Sequence, residues 1–421
     1  MKKLFNIILF ACLSLTGYAQ VYTDTPEAEA ARDAFGRFRV SMPTALFDAQ
    51  LTYDLCPLLF DTITVGTGAT ITHDATNRNA SIAFSSTASG GQVFMQTFEF
   101  FRYQPGKSQL VFITFNMLGG TANVDKIVGY SDGSNGIEFL MDDTTPKVRI
   151  LSDTGTGDET VTRASWNIDP MDGTGPSGYS LDFTKTQILV IDFEALYVGR
   201  VRIGWNIDGI THYCHEFLHA NLDAEPYFQS ASLPIRVGMT CSGTATTSMD
   251  YICSSIMSEG GQEDTYGYLF ASAGTVTAGN GVDSMALSIQ PNTTFNGITN
   301  RSKIILESID VVVTGANPVE WKLCLGQSLT GGSTTDVNAT YSAMEKVTGT
   351  LSGSPAIVLM RGYVAATSQQ KQSVQKNTTI RLPITLDHAG AVRTLGRLTV
   401  LVSGIGGTSA TRVILNWREI R

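Results

Sequence analysis

His215-Glu216-Phe217-Leu218-His219 has the spacing of a zinc-protease motif, and His212 lies just before it. On a helix this spacing stacks two imidazoles one turn apart, where they share a metal while the glutamate activates water. On a strand, residues four apart are separated by about 13 Å. Two nitrogens, each about 2.1 Å from one zinc, cannot be that far apart. The segment begins just after Asp208-Gly209 and reads as strand, with a helical face from Ile210 onward as the alternative. The strand reading places His212, His215 and His219 on a sheet with satisfied hydrogen bonds, and predicts neither bound zinc nor peptidase activity.

Asp192 and Glu194 are the second constellation. On a strand they share one face, about 6.5–7 Å apart, a spacing used by glycosidases. Jelly-roll glycosidases that carry their acids on a strand use the order Glu-x-Asp-x-x-Glu. This chain has Asp-x-Glu, with Tyr197 where the last acid belongs. The blander reading is a polar sheet face, with Asp192 and Glu194 pairing with Arg200 and Arg202 or binding a sugar. Gly106-Lys107-Ser108 imitates the end of a P-loop, but Phe101 stands where its first glycine is needed. Calcium could be held near Asp169 and Asp172, or near Asp132 and Asn135, though these are equally ordinary turn residues. No catalytic residues and no cofactor are expected.

The elements that must position these groups are strands. Of 421 residues, 16% are charged and 41 are glycine. With abundant Ser, Thr and β-branched residues, that favours strands joined by tight turns. Val201, Ile203, Trp205 and Ile207 alternate with Arg200, Arg202, Gly204 and Asn206, a period of two with one apolar face. Asp208-Gly209 then predicts a hairpin, with loops of two or three residues both compatible. Further strands are read at 94–101, 110–115 and 188–195, with turns at 104–107 and 132–136. After a polar break come 308–313, 320–325, 357–364, 379–386, 395–402 and 412–417. Net charge is −9 and no basic stripe is present, so a nucleic-acid surface is not expected.

The fold class expected is all-β: two β-sandwich or jelly-roll-like domains with an N-terminal arm. Residues 1–19 look like a secretory signal, with Lys2 and Lys3 before an apolar run too short to span a bilayer comfortably. Residues 20–61 form the arm, 62–258 the first domain, 259–264 a linker and 265–421 the second domain. Phe35, Phe38, Leu46 and Phe47 mark the arm as an assembly element, with an edge strand of the first domain as the alternative. Six cysteines are scattered without a CxxC pair, and a Cys241–Cys253 bridge is the one pairing considered.

Several segments carry a resemblance. Phe35-Gly36-Arg37-Phe38-Arg39-Val40-Ser41 followed by Leu46-Phe47-Asp48, then Tyr103 to Gln109, Asp172 to Gly178, Ile191-Asp192-Phe193-Glu194 and Gly199-Arg200-Val201-Arg202 resemble a family of uncharacterised bacteriophage virion structural proteins. The likeness covers most of 35–260 and, more loosely, the rest as far as Trp417-Arg418-Glu419. It implies a non-enzymatic virion component, capsid-decorating, head-fibre or tail-associated. Its partners would be other virion subunits, further copies of itself and a surface glycan. It supplies no catalytic residues. The alternatives are a carbohydrate-binding protein of lectin type, secreted or at the cell surface through the signal, and a secreted glycoside hydrolase.

Overall fold

A computed structural model describes residues 31–40, 42–194, 196–230, 232–261, 267–366, 372–375 and 384–421. The signal-like segment, arm residues 20–30 and linker residues 262–264 lie outside the described residues. The chain is all-β. Among the described residues the only helical element is the short 3-10 turn Arg163–Ser165. Among the described residues no helix is long and apolar enough to cross a membrane.

The chain divides into two compact units. The first comprises residues 1–55, 63–94 and 102–262, and the second comprises 56–62, 95–101 and 263–421. The boundary near 262 falls in the polar break read from the sequence. The segments 56–62 and 95–101, assigned above to the arm and the first domain, group with the second unit instead. Linker residue Glu259 belongs to the first unit, donating its N–H to the Ser108 carbonyl.

The first sheet of the first unit runs Ile210–Phe217, Val201–Ile207, Thr186–Glu194, Ser108–Asn116, Ala245–Ser258, Asn79–Thr87 and Ala69–Asp74 from edge to edge, and Thr44–Gln50 also pairs with Ala245–Ser258. The second runs Glu159–Thr162, Thr145–Leu151, Gly136–Asp142, Val124–Ser131 and Ile235–Cys241, counted from its outer edge. Aromatic rings fill the space between the two sheets. Trp205, fully buried, meets Phe139 edge-on at 5.3 Å, and Phe193 meets Tyr130 at 5.6 Å. Such pairs add to the burial of apolar area.

The Asp208-Gly209 turn has two residues, because Ile207 pairs with Ile210. Both turn residues have positive φ, 52° and 86°. That is the type I′ geometry matching the twist of paired strands. The predicted period of two holds: Val201, Ile203 and Trp205 are buried against the core.

The second unit packs a four-stranded sheet (Tyr268–Ala278, Ser409–Ile420, Lys303–Val313, Gln372–Gln375) against a six-stranded one (Thr334–Asp336, Met344–Val347, Ser284–Pro291, Leu398–Gly404, Val319–Leu325, Ile357–Val364). Its core joins Trp417, Leu415 and Val311 of the former to Trp321, Leu323 and Val400 of the latter. Of the strand expected at 379–386, residues 379–383 lie outside the described residues, and Leu386 forms only an isolated bridge with Val392.

Candidate functional site

The polar face read from the sequence is a closed ionic network. Asp192 sits in the Thr186–Glu194 strand, directly opposite Arg202. Its Oδ2 accepts from Arg202 Nη2 at 2.6 Å, Arg39 Nη2 at 2.7 Å and the Tyr213 hydroxyl at 2.7 Å. Its Oδ1 accepts from the Ser108 hydroxyl at 2.8 Å. Asp192 is 0% exposed and Arg202 1%. Burial works against the charge on Arg39, but Asp192, Tyr213 and Glu259 outweigh it and raise its pKa. Burial, reinforced by Asp192, pushes the Tyr213 phenol up as well.

Residues 31–40 lie over this network. Asp33 Oδ1 accepts the Arg37 N–H at 2.8 Å, closing a small loop in which Gly36 takes φ 75°. The loop presents its carbonyls to the sheet. Arg202 Nη2 donates to the Arg32 carbonyl at 2.8 Å, and Arg200 Nη2 to the Ala34 carbonyl at 2.8 Å. Arg39 reaches over to Glu259 as well, at 2.7 Å. The clamp therefore consumes Asp192, Arg200 and Arg202, while Glu194 accepts the Arg200 N–H at 3.1 Å. General acid–base work on a glycosidic bond needs two carboxyl groups open to it, and Asp192 is sealed.

The arm does not stand clear of the first unit in its described part. Thr44–Gln50 is a paired strand, with Phe47 buried and Leu46 half-buried. Phe35 is half-buried with Arg37 over its ring, while Phe38 is 57% exposed. The edge-strand alternative describes residues 44–50. A deletion of 21–61 would remove a strand from the sheet, so it cannot isolate an assembly function.

Beyond the clamp the same sheet face is half-exposed at Phe112, Thr114, Ser255 and Met257 and closed at Leu110, Val190, Gly204 and Tyr213. Residues opposite one another in antiparallel ladders share a face. Ser255, Phe112, Val190, Gly204 and Tyr213 thus form one row across five strands. Leu110, Val190 and Tyr213 form an apolar cluster with half-buried Phe112 and Met257 packed on it, separate from the core between the sheets. Half-exposed Thr114, Asn206 and Thr211 edge the row. Gly204 keeps it low: a Cβ there would lie 2.3 Å from the His212 carbonyl oxygen. The apolar residues of this face escaped the sequence reading, because alternation assigned Trp205 and its neighbours inward without revealing that the outward positions of adjoining strands are also apolar.

The histidines do not form a zinc pair. His215 lies in the Ile210–Phe217 strand and accepts the Asn167 N–H at Nδ1, 3.1 Å. His219 follows the strand and meets the Gly199 carbonyl and Glu159. The expectation of satisfied hydrogen bonds fails at His212. It is buried with no hydrogen bond at either ring nitrogen, because its register puts it opposite Trp205, beside the Tyr179 ring. The oxygens of Asp132, Asp169 and Asp172 accept from turn groups nearby, as in Asp169 Oδ1 with the Met171 N–H at 2.7 Å. Cys241 and Cys253 are both free thiols.

Burial pushes the His215 imidazole down to about 4. The folded value lies below the unfolded one, so the unfolded chain takes up the proton first as pH falls. This contribution to stability is full above about pH 6.5 and is lost as pH drops through about 4, on the order of 3 kcal/mol. Denaturant midpoints of the first unit are expected to fall across that window, and His215→Gln to flatten the fall. An unchanged slope in the variant would assign the effect to other groups.

No family model and no curated protein matches the sequence. Solved structures with similar strand layouts include winged bean acidic lectin complexed with methyl-α-D-galactose (10% identity, 52% of this chain and 99% of that one, TM-score 0.34). Others are a pseudo β-1,3-glucanase antigen of Mycobacterium tuberculosis (11%, 50% and 98%, TM-score 0.32) and peanut lectin (12%, 52% and 98%, TM-score 0.31). Likeness at this level does not extend to what the chain binds.

Proposed function

We propose that this chain acts by binding and not by turnover, and that its first unit recognises carbohydrate on the half-exposed part of the first sheet's outer face. The observation that carries this reading is the row from Ser255 to Tyr213, apolar along its middle and edged by Thr114, Asn206 and Thr211. A sugar ring offers a C–H face to half-exposed Phe112 and Met257 and hydroxyls to neutral amide and hydroxyl groups, the usual make-up of a small-molecule site. The sealed state of Asp192 supports binding over hydrolysis. Screening the full chain against immobilised glycans is expected to give weak, reproducible ligands. Phe112→Ala should reduce retention by about tenfold or more, as loss of an aromatic anchor does. A protein that retains no glycan, or a folded Phe112→Ala variant that binds as the parent does, would overturn the assignment.

The second reading sets the same protein on a bacteriophage virion. It is favoured by Val40 and Met42, each 90% exposed, at the end of the first resemblance segment. Large exposed apolar side chains grouped in this way mark interaction surfaces. Repetition on a particle would make weak glycan contacts sufficient. Mass spectrometry of purified particles tests the setting.

A further inference from the structure

Glu159, His219 and Asp223 bring three ligand atoms within 4.8 Å of one another. None of the three belongs to the clamp. Asp223 is brought back over His219 by a tight turn in which the Leu222 and Asp223 N–H groups both donate to the His219 carbonyl, at 2.9 and 3.1 Å, with Asn221 at φ 65°. Glu159 opens Glu159–Thr162, the edge strand of the second sheet. His219 is 2% exposed and its ring lies 4.1 Å from that of Tyr227.

The Gly199 carbonyl lies 2.9 Å from His219 Nδ1. A carbonyl only accepts, so Nδ1 carries a proton. Nε2 lies 3.0 Å from a Glu159 oxygen, with Asp223 beside it, so without a cation Nε2 also holds a proton and donates it to that carboxylate, and a metal ion would take the place of that proton. Among the described residues no lysine or arginine forms an ion pair with either carboxylate. Three electron-pair donors and two negative charges thus converge on one point. A histidine whose far N–H is held by a backbone carbonyl is the usual support of a metal ligand.

We propose that Glu159, His219 and Asp223 bind a divalent transition-metal cation, zinc foremost, with water completing its coordination. One imidazole and two carboxylates suit zinc and its neighbours, whereas calcium takes oxygen ligands alone. Bonds of about 2.0–2.2 Å set ligand atoms about 3.0–3.5 Å apart. Rotation of Glu159 and Asp223, which both reach solvent, closes the difference. The site is structural. Ile210–Phe217, which leads into His219, is the edge of the first sheet, and Glu159 is on the edge of the second. The cation fastens these two edges. The inference is independent of the glycan reading.

The test is zinc titration of the chelator-treated full chain, followed by calorimetry and thermal melting. One equivalent is expected to bind at micromolar zinc and raise the melting temperature, while calcium leaves it unchanged. Asp223→Asn and Glu159→Gln, both at solvent-reaching positions, should each weaken binding by at least about tenfold. His215→Ala should bind as the parent does. The proposal fails if no zinc binds, or if the Asp223 and Glu159 variants bind as tightly as the parent.

Discussion

Asp192→Ala is expected to cost the first unit about 3–5 kcal/mol, the penalty for leaving a buried cation without its counter-charge. The substitution takes the carboxylate from Arg202, 1% exposed, leaves Arg39 with Glu259 as its counter-charge, and removes the acceptor that the Tyr213 and Ser108 hydroxyls share. It also loosens residues 31–40, whose remaining ties are the arginine–carbonyl bonds, the Arg39–Glu259 pair and the Ala34 N–H on the Ser108 hydroxyl. Hydrogen exchange followed by mass spectrometry should show faster exchange in peptides covering 31–40 and 186–217, with peptides of the second unit unchanged. Tryptic cleavage after Arg37 and Arg39 should accelerate. Asp192→Asn keeps the shape and one acceptor, so its cost should be smaller. If the alanine variant matches the parent in both assays, the clamp is a surface contact of little value and the description of a sealed site is wrong.

Glu419→Ala should be comparably damaging in the second unit. Glu419 is 0% exposed, and its carboxylate accepts from the Ser342 hydroxyl at 2.6 Å, the Ala343 N–H at 2.8 Å and Trp417 Nε1 at 3.0 Å, with Arg421 at 3.2 Å. Alanine leaves these donors buried without an acceptor, at about 1–3 kcal/mol for each neutral group that water does not reach. The total is expected at about 3–5 kcal/mol. Glu419→Gln retains an acceptor oxygen for some of the donors and should lose less. The check is the unfolding transition of the second unit by exchange of peptides from 338–347 and 409–420. Equal stability of Glu419→Ala and the parent would show that the loop at 338–343 is held by other contacts.

Local chemistry by itself determined the strands and their faces. The alternation of Val201, Ile203 and Trp205 with Arg202, Gly204 and Asn206, together with Asp208-Gly209, specifies a hairpin and which side chains face inward. Each signal acts over a few residues, and steric period and turn geometry suffice to read it. The same period of two put Asp192 and Arg202 on one face, and their pairing was among the readings it allowed. Only the tertiary structure decided which remote segments meet. Arg39 lies 153 residues from Asp192, and Glu159 lies 60 residues from His219. The Ser108–Asn116 strand is flanked by Thr186–Glu194 and Ala245–Ser258, neither adjacent to it in sequence. Ladder pairing of this kind rests on burial shared among distant strands, and the backbone hydrogen bonds that form it are nearly indifferent to residue type. The sealing of Asp192, the apolar row beside it and the trio at His219 all follow from that long-range choice of neighbours, which no local pattern encodes.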